Sequence, residues 1–441
     1  MKWLIVNRGE CASRIIRTAK KWGIETVCVY SAIDQPLPYV KEADHAVLLP
    51  GNRADESYMN KDVIISIAKE CHVDMIHPGY GFLSEDPSFA QMVRDNGMEF
   101  IGPSKSALEL LGNKRKAKEQ AEQLGIPIIP GVLTQIESDE DIERLATSIG
   151  FPLMIKAVMG GGGMGIVQCS NLNELKAKWL QVEKLSQRLF HSSELILEKY
   201  IESARHIEVQ VIGDKNGNVM TVGERECSIQ RRRQKLVEEA PVKSISESCL
   251  RKLREASISL ATSIEFYGIG TVEFLVTKDE EYFFMEMNPR LQVEHGVTEL
   301  VTGIDLVETQ WRIANGESIT GHQSDIPHKG HAIQVRVYAE DSKTGYPSPG
   351  KVSYCSYGEI KNRRLERTYE TGTTIPPFYD PLIAKLIVFT NTRLEAITEL
   401  EKWLTELDIQ GVKTNIDVLQ TILCHKDVRE NSIYTAWLQT I

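Results

Sequence analysis

Eight cysteines are spread along the chain without a single Cys-x-x-Cys pair, which leaves neither the ligand spacing of a zinc site nor a disulfide framework. No apolar run comes near the roughly 20 residues that a membrane helix needs. Met1–Val6 is too short for the core of a signal peptide and no small-residue cleavage pattern follows it, so we read it as a first strand. Basic residues are outnumbered, 51 Lys and Arg against 61 Asp and Glu for a net charge of −10, which argues against nucleic acid as the main partner. These absences point to a reducing cytoplasm and to no membrane partner. What is there, 42% hydrophobic and 25% charged over 441 residues, is the composition of a soluble globular protein of roughly two to four domains.

The opening residues read as β-α-β: strands at Trp3–Val6 and Thr26–Tyr30 flank a helix near Cys11–Trp22, and strand-like Asp74–Ile76 and Glu99–Ile101 continue an open α/β sheet. No Gly-x-Gly-x-x-Gly follows the first strand. Asn7–Glu10 and His77–Glu85 fall just after strands, where such sheets place ligand loops; ordinary turn chemistry reads equally well there. Lys114–Leu124 is a basic helical stretch. Phe151–Val158 is a strand carrying Lys156, followed by Gly160, Gly161, Gly162, Gly163, Met164 and Gly165. A strand, not a helix, follows these glycines, and no Lys-Ser/Thr does, so they form neither a dinucleotide fingerprint nor a P-loop. There remains a strand, glycine loop, strand unit whose backbone N–H groups can fold over phosphates while Lys156 supplies charge, or else a plain hairpin tip. Leu195–Tyr200 is a further strand with Glu198 and Lys199, and His206–Gln210 alternates polar and apolar. Gln230–Lys235 packs four cations into six residues, a solvated face or an anion site. Beyond Gly330, strands at His331–Ala339 (with Arg336) and Leu382–Phe389 and a helix at Arg393–Leu407 look like a separate α+β lobe.

Thr271–Glu294 is the most informative stretch. Two apolar-rich runs, Thr271–Thr277 and Glu281–Met287, flank a charged break in the pattern of a β-hairpin. With a two-residue loop at Asp279 and Glu280, Glu273 and Glu286 face each other, a repulsive pairing unless a cation lies between them. Glu286, Asn288, Arg290, Gln292 and Glu294 alternate with Met287, Pro289, Leu291 and Val293, so a period of two lines polar groups on one side of an extended segment. Carboxylate and amide oxygens suit magnesium, which shares its shell with substrate phosphates. An edge strand with a solvated face has the same pattern. His295 receives no role.

Together, NRGE, HPGYGFLSE, EKY, RHIEVQ, CSIQRR, QKLVEEAP, VEFL, MEMNPRLQVEH and PSPGKV stand in the order and spacing of the biotin carboxylases of the ATP-grasp superfamily, and the chain resembles that family from Leu4 to about Asn415. The resemblance implies an ATP-grasp fold in three parts: an N-terminal Rossmann-like α/β domain over residues 1–112, an ATP-grasp domain over 113–329 with a glycine-loop lid at about 130–200, and a C-terminal α+β lobe over 330–441. It implies the reaction as well: ATP and bicarbonate give carboxyphosphate, whose CO2 passes to N1′ of biotin. By the family pattern Lys114, Lys156 and the glycines Gly160–Gly163 hold phosphates, Glu198, Lys199 and Ile201 the adenine, and His206 the ribose end, with Gln230 and Arg233 also at the nucleotide. Glu273, Glu286 and Asn288 carry two magnesium ions, or manganese. Bicarbonate meets Arg290, Gln292 and Val293, with Glu294 as base, Lys235 beside the transferred phosphoryl group and Arg336 stabilising the biotin enolate.

Four positions depart from that pattern: Arg233 stands in place of His, Met164 of Arg, Met159 of the usual Gly or Met position, and Gly296 of Pro after the His. No Ala-Met-Lys-Met attachment sequence occurs, so biotin is expected on a separate carrier protein with a carboxyltransferase elsewhere, as in acetyl-CoA carboxylase and fatty acid biosynthesis. A domain cut from a larger carboxylase, a carbamoyl-phosphate-type ligase and a catalytically weak nucleotide-binding scaffold are the other readings. The family resemblance also implies a homodimer, with Arg14 at its contact.

Overall fold

A computed structural model describes residues 1–132, 139–159, 165–190, 192–321, 323 and 326–440. Its N-terminal part is a five-stranded parallel sheet in the order His45–Leu48, Glu25–Tyr30, Lys2–Ile5, Met75–His77, Glu99–Phe100. Lys2–Ile5, buried from Trp3 onward, pairs on one side with the strand that follows it and on the other with Met75–His77. The order therefore reverses at the first strand, and open α/β sheets bind ligands outside the carboxyl ends of strands at such a point. Asn7–Glu10 and His77–Glu85 leave those two strands side by side. Asn7 Nδ2 donates to the carbonyls of Pro78 at 2.7 Å and Tyr80 at 2.8 Å. Gly79 is required where they meet: its φ is +65°, and a Cβ there would lie 2.5 Å from Cys11 Sγ.

A four-stranded antiparallel sheet, ordered Gly131–Val132, Leu195–Lys199, Leu153–Ala157, Ile166–Cys169, carries the helices Asp139–Ile149 and Leu172–Phe190. It has a core of its own around Leu153, Ile155, Leu175 and Leu197. The four glycines Gly160–Gly163 and Met164 lie outside the described residues.

The largest element is an eight-stranded sheet running Tyr282–Asn288, Gly268–Val276, Arg205–Gly213, Val219–Arg231, Gln234–Ala240, His331–Tyr338, Leu382–Thr390, Arg363–Arg367. Three strands beyond residue 330 extend this sheet, because Gln234–Ala240 pairs directly with His331–Tyr338, while Gly350–Lys351 with Thr374–Ile375 and Tyr354–Ser356 with Asp408–Gln410 form two small antiparallel pairs. Residues beyond 330 thus share the central sheet, and the helix Arg393–Glu406 packs on its strands His331–Tyr338 and Leu382–Thr390. The helix His295–Thr302 packs on the sheet behind Glu294.

Candidate active site

The hairpin of Gly268–Val276 and Tyr282–Asn288 places Glu273 directly opposite Glu286. It gets there by a different route from the two-residue loop expected. The loop is Lys278–Glu280, with Glu280 left-handed at φ 61°, and Val276 pairs with Tyr282. That register is one residue off, and a bulge between Glu273 and Phe274 that leaves Met285 unpaired restores it. On the other side of Glu273 the ladder puts Glu208, itself opposite Arg225. Glu286, Glu273 and Glu208 therefore form one row across three strands, a placement that repels unless cations answer it.

Lys235 is the main answer. From Gln234–Ala240, two strands beyond that of Glu208, its Nζ lies 2.6 Å from Glu208, 3.0 Å from Glu273 and 2.6 Å from Glu294. Arg225, fully buried, donates to Glu208, to Gln210 at 2.8 Å, to Thr298 at 2.9 Å and to Thr271 at 3.0 Å. Burial alone would raise the Glu273 carboxyl, but Lys235 and then His206 hold it far below the usual range. His206 accepts from Gln230 Nε2 at Nδ1 (2.9 Å), so its Nε2–H faces Glu273 Oε2 at 3.0 Å. Lys114 Nζ stands 3.6 Å from Glu286.

The alternating run does not stay extended. The strand ends at Asn288, and Glu294 is the residue that begins the helix His295–Thr302. The bend nevertheless gathers the polar groups: Asn288 Nδ2 donates to Glu273 at 3.0 Å, Gln292 Nε2 reaches the same oxygen at 3.4 Å, and Arg290 donates to Gln292 Oε1 at 3.1 Å and to Glu85. Val293 is half-buried beside them. Glu294 is fully buried between two cations, Lys235 on Oε1 and Arg336 Nη2 on Oε2 at 3.0 Å. Burial opposes its ionisation, yet Lys235, Arg336 and Arg225 together keep it a carboxylate. Arg336 Nε is fixed by Glu238 at 2.5 Å.

At the lid, Lys156 Nζ is 2.6 Å from Glu198 Oε2, and Lys118 shares that carboxylate. Burial pushes the Lys156 ammonium down to about 8, with Glu286 opposing and Lys114 and Arg233 adding repulsion. Lys199 turns its side chain to the carbonyls of Gly150 and Phe151 at 3.0 and 2.7 Å, so only its backbone faces elsewhere. Ile201 lies half-buried in the connection to Arg205–Gly213. Arg233, left-handed at φ 66° on the tip of the cationic hairpin, donates to the lid carbonyl of Ile166 at 2.6 Å. Met159 bridges Asn113. Gly296 has a local cause: a Cβ there would lie 2.6 Å from Ile387 Cδ1.

Sequence reasoning left out Glu208, Arg225, Glu238, Lys118 and Glu85. Glu208 carried a signal, the alternation of His206, Glu208 and Gln210 along one strand face, and Glu85 lay in the loop His77–Glu85 read as a ligand loop or a turn. The oxygens of Glu273, Glu286 and Asn288 suit a hard dication. A ligand set of Glu208, Cys227 and Glu294, also close together, does not, because a cysteine sulfur is a soft ligand and Lys235 already sits on both carboxylates.

Three family descriptions tile the chain: "Biotin carboxylase, N-terminal domain" over residues 1–108, "Carbamoyl-phosphate synthase L chain, ATP binding domain" over 113–321 and "Biotin carboxylase C-terminal domain" over 334–440. Biotin carboxylase 2 of Bacillus subtilis is 43% identical over 99% of both chains. The alpha subunit of mitochondrial methylcrotonoyl-CoA carboxylase of Arabidopsis thaliana is 42% identical over 99% of this chain and 60% of its own. The biotin carboxylase domain dimer of Hydrogenobacter thermophilus 2-oxoglutarate carboxylase, solved with MgADP, ADP and bicarbonate, superposes with a TM-score of 0.97 at 41% identity, covering 100% of this chain and 97% of that one. Lid, sheet and charged face define an ATP-grasp ligase. Within that class, the chain belongs to the biotin carboxylase family, the ATP-dependent ligases of biotin-dependent carboxylases.

Proposed function

We propose that this chain carries out the first half-reaction of such a carboxylase: bicarbonate attacks the terminal phosphorus of ATP, ADP leaves, and the carboxyphosphate so formed yields phosphate and CO2, which N1′ of biotin takes up as its proton is removed. Glu294 carries the reading. A buried carboxylate with a lysine on one oxygen and an arginine on the other is ionised and aimed, as a base must be. Lys114 and Lys156 hold the phosphates, Glu198, Lys199, Ile201 and His206 the nucleoside, with Gln230 and Arg233 beside them, and Arg290, Gln292 and Val293 the bicarbonate. Glu273, Glu286 and Asn288 would hold magnesium, which supplies charge neutralisation at the phosphates. Arg336, braced by Glu238, answers the charge that develops on biotin.

The final acceptor is left to a carboxyltransferase partner. Chains named for methylcrotonoyl-CoA, pyruvate and 2-oxoglutarate carboxylases match at 37–42% identity, so acceptor choice need not reside in this fold. Biotin arrives on a carrier protein, and the chain pairs as a homodimer, which sedimentation at micromolar concentration tests. Arg14 itself is spent internally, 2.6 Å from Glu299 and 2.8 Å from Asp305.

The deciding assay is ADP release with magnesium, bicarbonate and free biotin. Parent activity is expected to depend on bicarbonate and to rise with biotin, and Glu294→Gln and Arg336→Ala are expected to lose at least ~100-fold in biotin carboxylation, on the scale of removing one preorganised group. Parental rates in either variant remove that residue from its role.

A further inference from the structure

Arg336 and Lys385 stand directly opposite each other across the ladder of His331–Tyr338 and Leu382–Thr390. Two cations so placed repel, and both are buried, so something must hold them. Both turn to one dipeptide. Arg336 donates to the Glu294 carboxylate at 3.0 Å, and Lys385 Nζ donates to the main-chain carbonyl of Val293 at 2.9 Å. Lys385 is held in turn by Glu10 Oε2 at 2.8 Å, and the Tyr80 hydroxyl donates to the other oxygen of Glu10. Glu10 lies in the first turn of the helix Gly9–Lys21 that follows the first strand, and Tyr80 in the loop after Met75–His77 beside it. One residue earlier, His295 Nδ1 donates to the carbonyl of Gln292 at 2.6 Å. Burial, then the repulsion of Lys385 and Arg14, keep that imidazole neutral.

Successive carbonyls of Gln292 and Val293 are thus gripped from the buried side. A peptide unit is planar, so fixing the Gln292 carbonyl fixes the N–H of Val293, and fixing the Val293 carbonyl fixes the N–H of Glu294, each pointing away from its grip. We propose that Lys385 is a positioning residue for carboxylation: with Arg336 opposite, it clamps the Val293–Glu294 peptide so that its backbone N–H and the Glu294 carboxylate present to bicarbonate together, and Glu10 couples this clamp to the N-terminal domain. The proposal rests on the bicarbonate site assigned above.

Lys385→Met leaves Glu10 buried without its counter-charge and risks the fold, so it is compared with Glu10→Gln/Lys385→Met, which removes both charges, and with Glu10→Gln alone. The readouts are the thermal midpoint, the KM for ATP and for bicarbonate in biotin-stimulated ADP release, and binding of 13C-bicarbonate by NMR in the presence of MgADP. The double variant is expected to fold, to keep its KM for ATP within about twofold and to lose bicarbonate affinity about tenfold, the range of one charge-assisted hydrogen bond; Glu10→Gln shows the same selective loss in milder form. Unchanged bicarbonate binding in a folded variant, or equal losses for ATP and bicarbonate, overturns the proposal. A parent that binds bicarbonate without turning over defeats the functional reading while the binding comparison still decides on Lys385. A parent that binds none defeats both.

Discussion

Lys156 shows how a single side chain is poised by its surroundings. Burial brings its ammonium down to about 8, with Glu286 opposing and Lys114 and Arg233 repelling, although Glu198, whose carboxylate Lys118 shares, lies 2.6 Å away. The nucleotide phosphates assigned to it would restore its charge, so MgADP binding at pH 8 to 9 should take up protons. Calorimetry in buffers of different ionisation enthalpy measures this directly; the uptake is expected to be a substantial fraction of one proton and to disappear in Lys156→Met. At this scale residue type and alternation led to the facing pair Glu273 and Glu286, whereas Glu294 as a base and Arg336 were singled out only by the family resemblance. The sequence was silent on Glu238, whose task is visible only with Arg336 Nε 2.5 Å away.

At the level of elements, two local adjustments decide whether the site exists. The hairpin loop is one residue longer than the pattern suggested, and the bulge at Met285 cancels the shift. Pattern reading reached the right pair, Glu273 and Glu286, through the wrong loop, because alternation cannot distinguish a short loop from a longer one followed by a bulge. The helix His295–Thr302 has Gly296 in its first turn against Ile387 of the sheet, with Arg364 Cζ 3.5 Å from where a Cβ would be. Gly296→Ala gains helix propensity of about 1 kcal/mol but meets a packed core, where overfilling costs about 1–3 kcal/mol. We expect a net loss of about 1 kcal/mol in denaturant unfolding, and expect Ile387→Val, which removes the Cδ1 in the way, to offset most of it. Additive losses in the double variant would count against this contact.

Across the whole molecule, Glu366 ties the parts together. It sits buried between Arg17 of the helix Gly9–Lys21 and Arg364, whose Nε is 2.8 Å away. Burial would raise its carboxyl, but Arg364 and Arg17 hold it far below the ordinary range. A carboxyl depressed in the fold contributes stability that is full above its unfolded value, about 4.5, and is lost as pH falls toward the folded one. Glu366→Gln should therefore cost about 3 kcal/mol at neutral pH, the low end for breaking a buried pair because Arg17 is half exposed. The gap to the parent should narrow steadily below about pH 4.5 in urea unfolding; a gap independent of pH would exclude the ion pair as its source. No helix among the described residues is long and apolar enough to cross a membrane.

By itself the sequence determined the chemistry on offer, since hard oxygen donors, lysines for phosphates and an arginine beside a carboxylate are properties of residue type, and it determined their order along the chain. The tertiary structure alone decided which charges meet. Glu208 joins Glu273 and Glu286 only because a strand sixty-odd residues earlier pairs with the hairpin, Lys235 reaches three carboxylates only from another hairpin of the sheet, and Lys385 meets both Val293 and, from near the start of the chain, Glu10. Such meetings arise from long-range strand pairing and burial, which local periodicity does not encode.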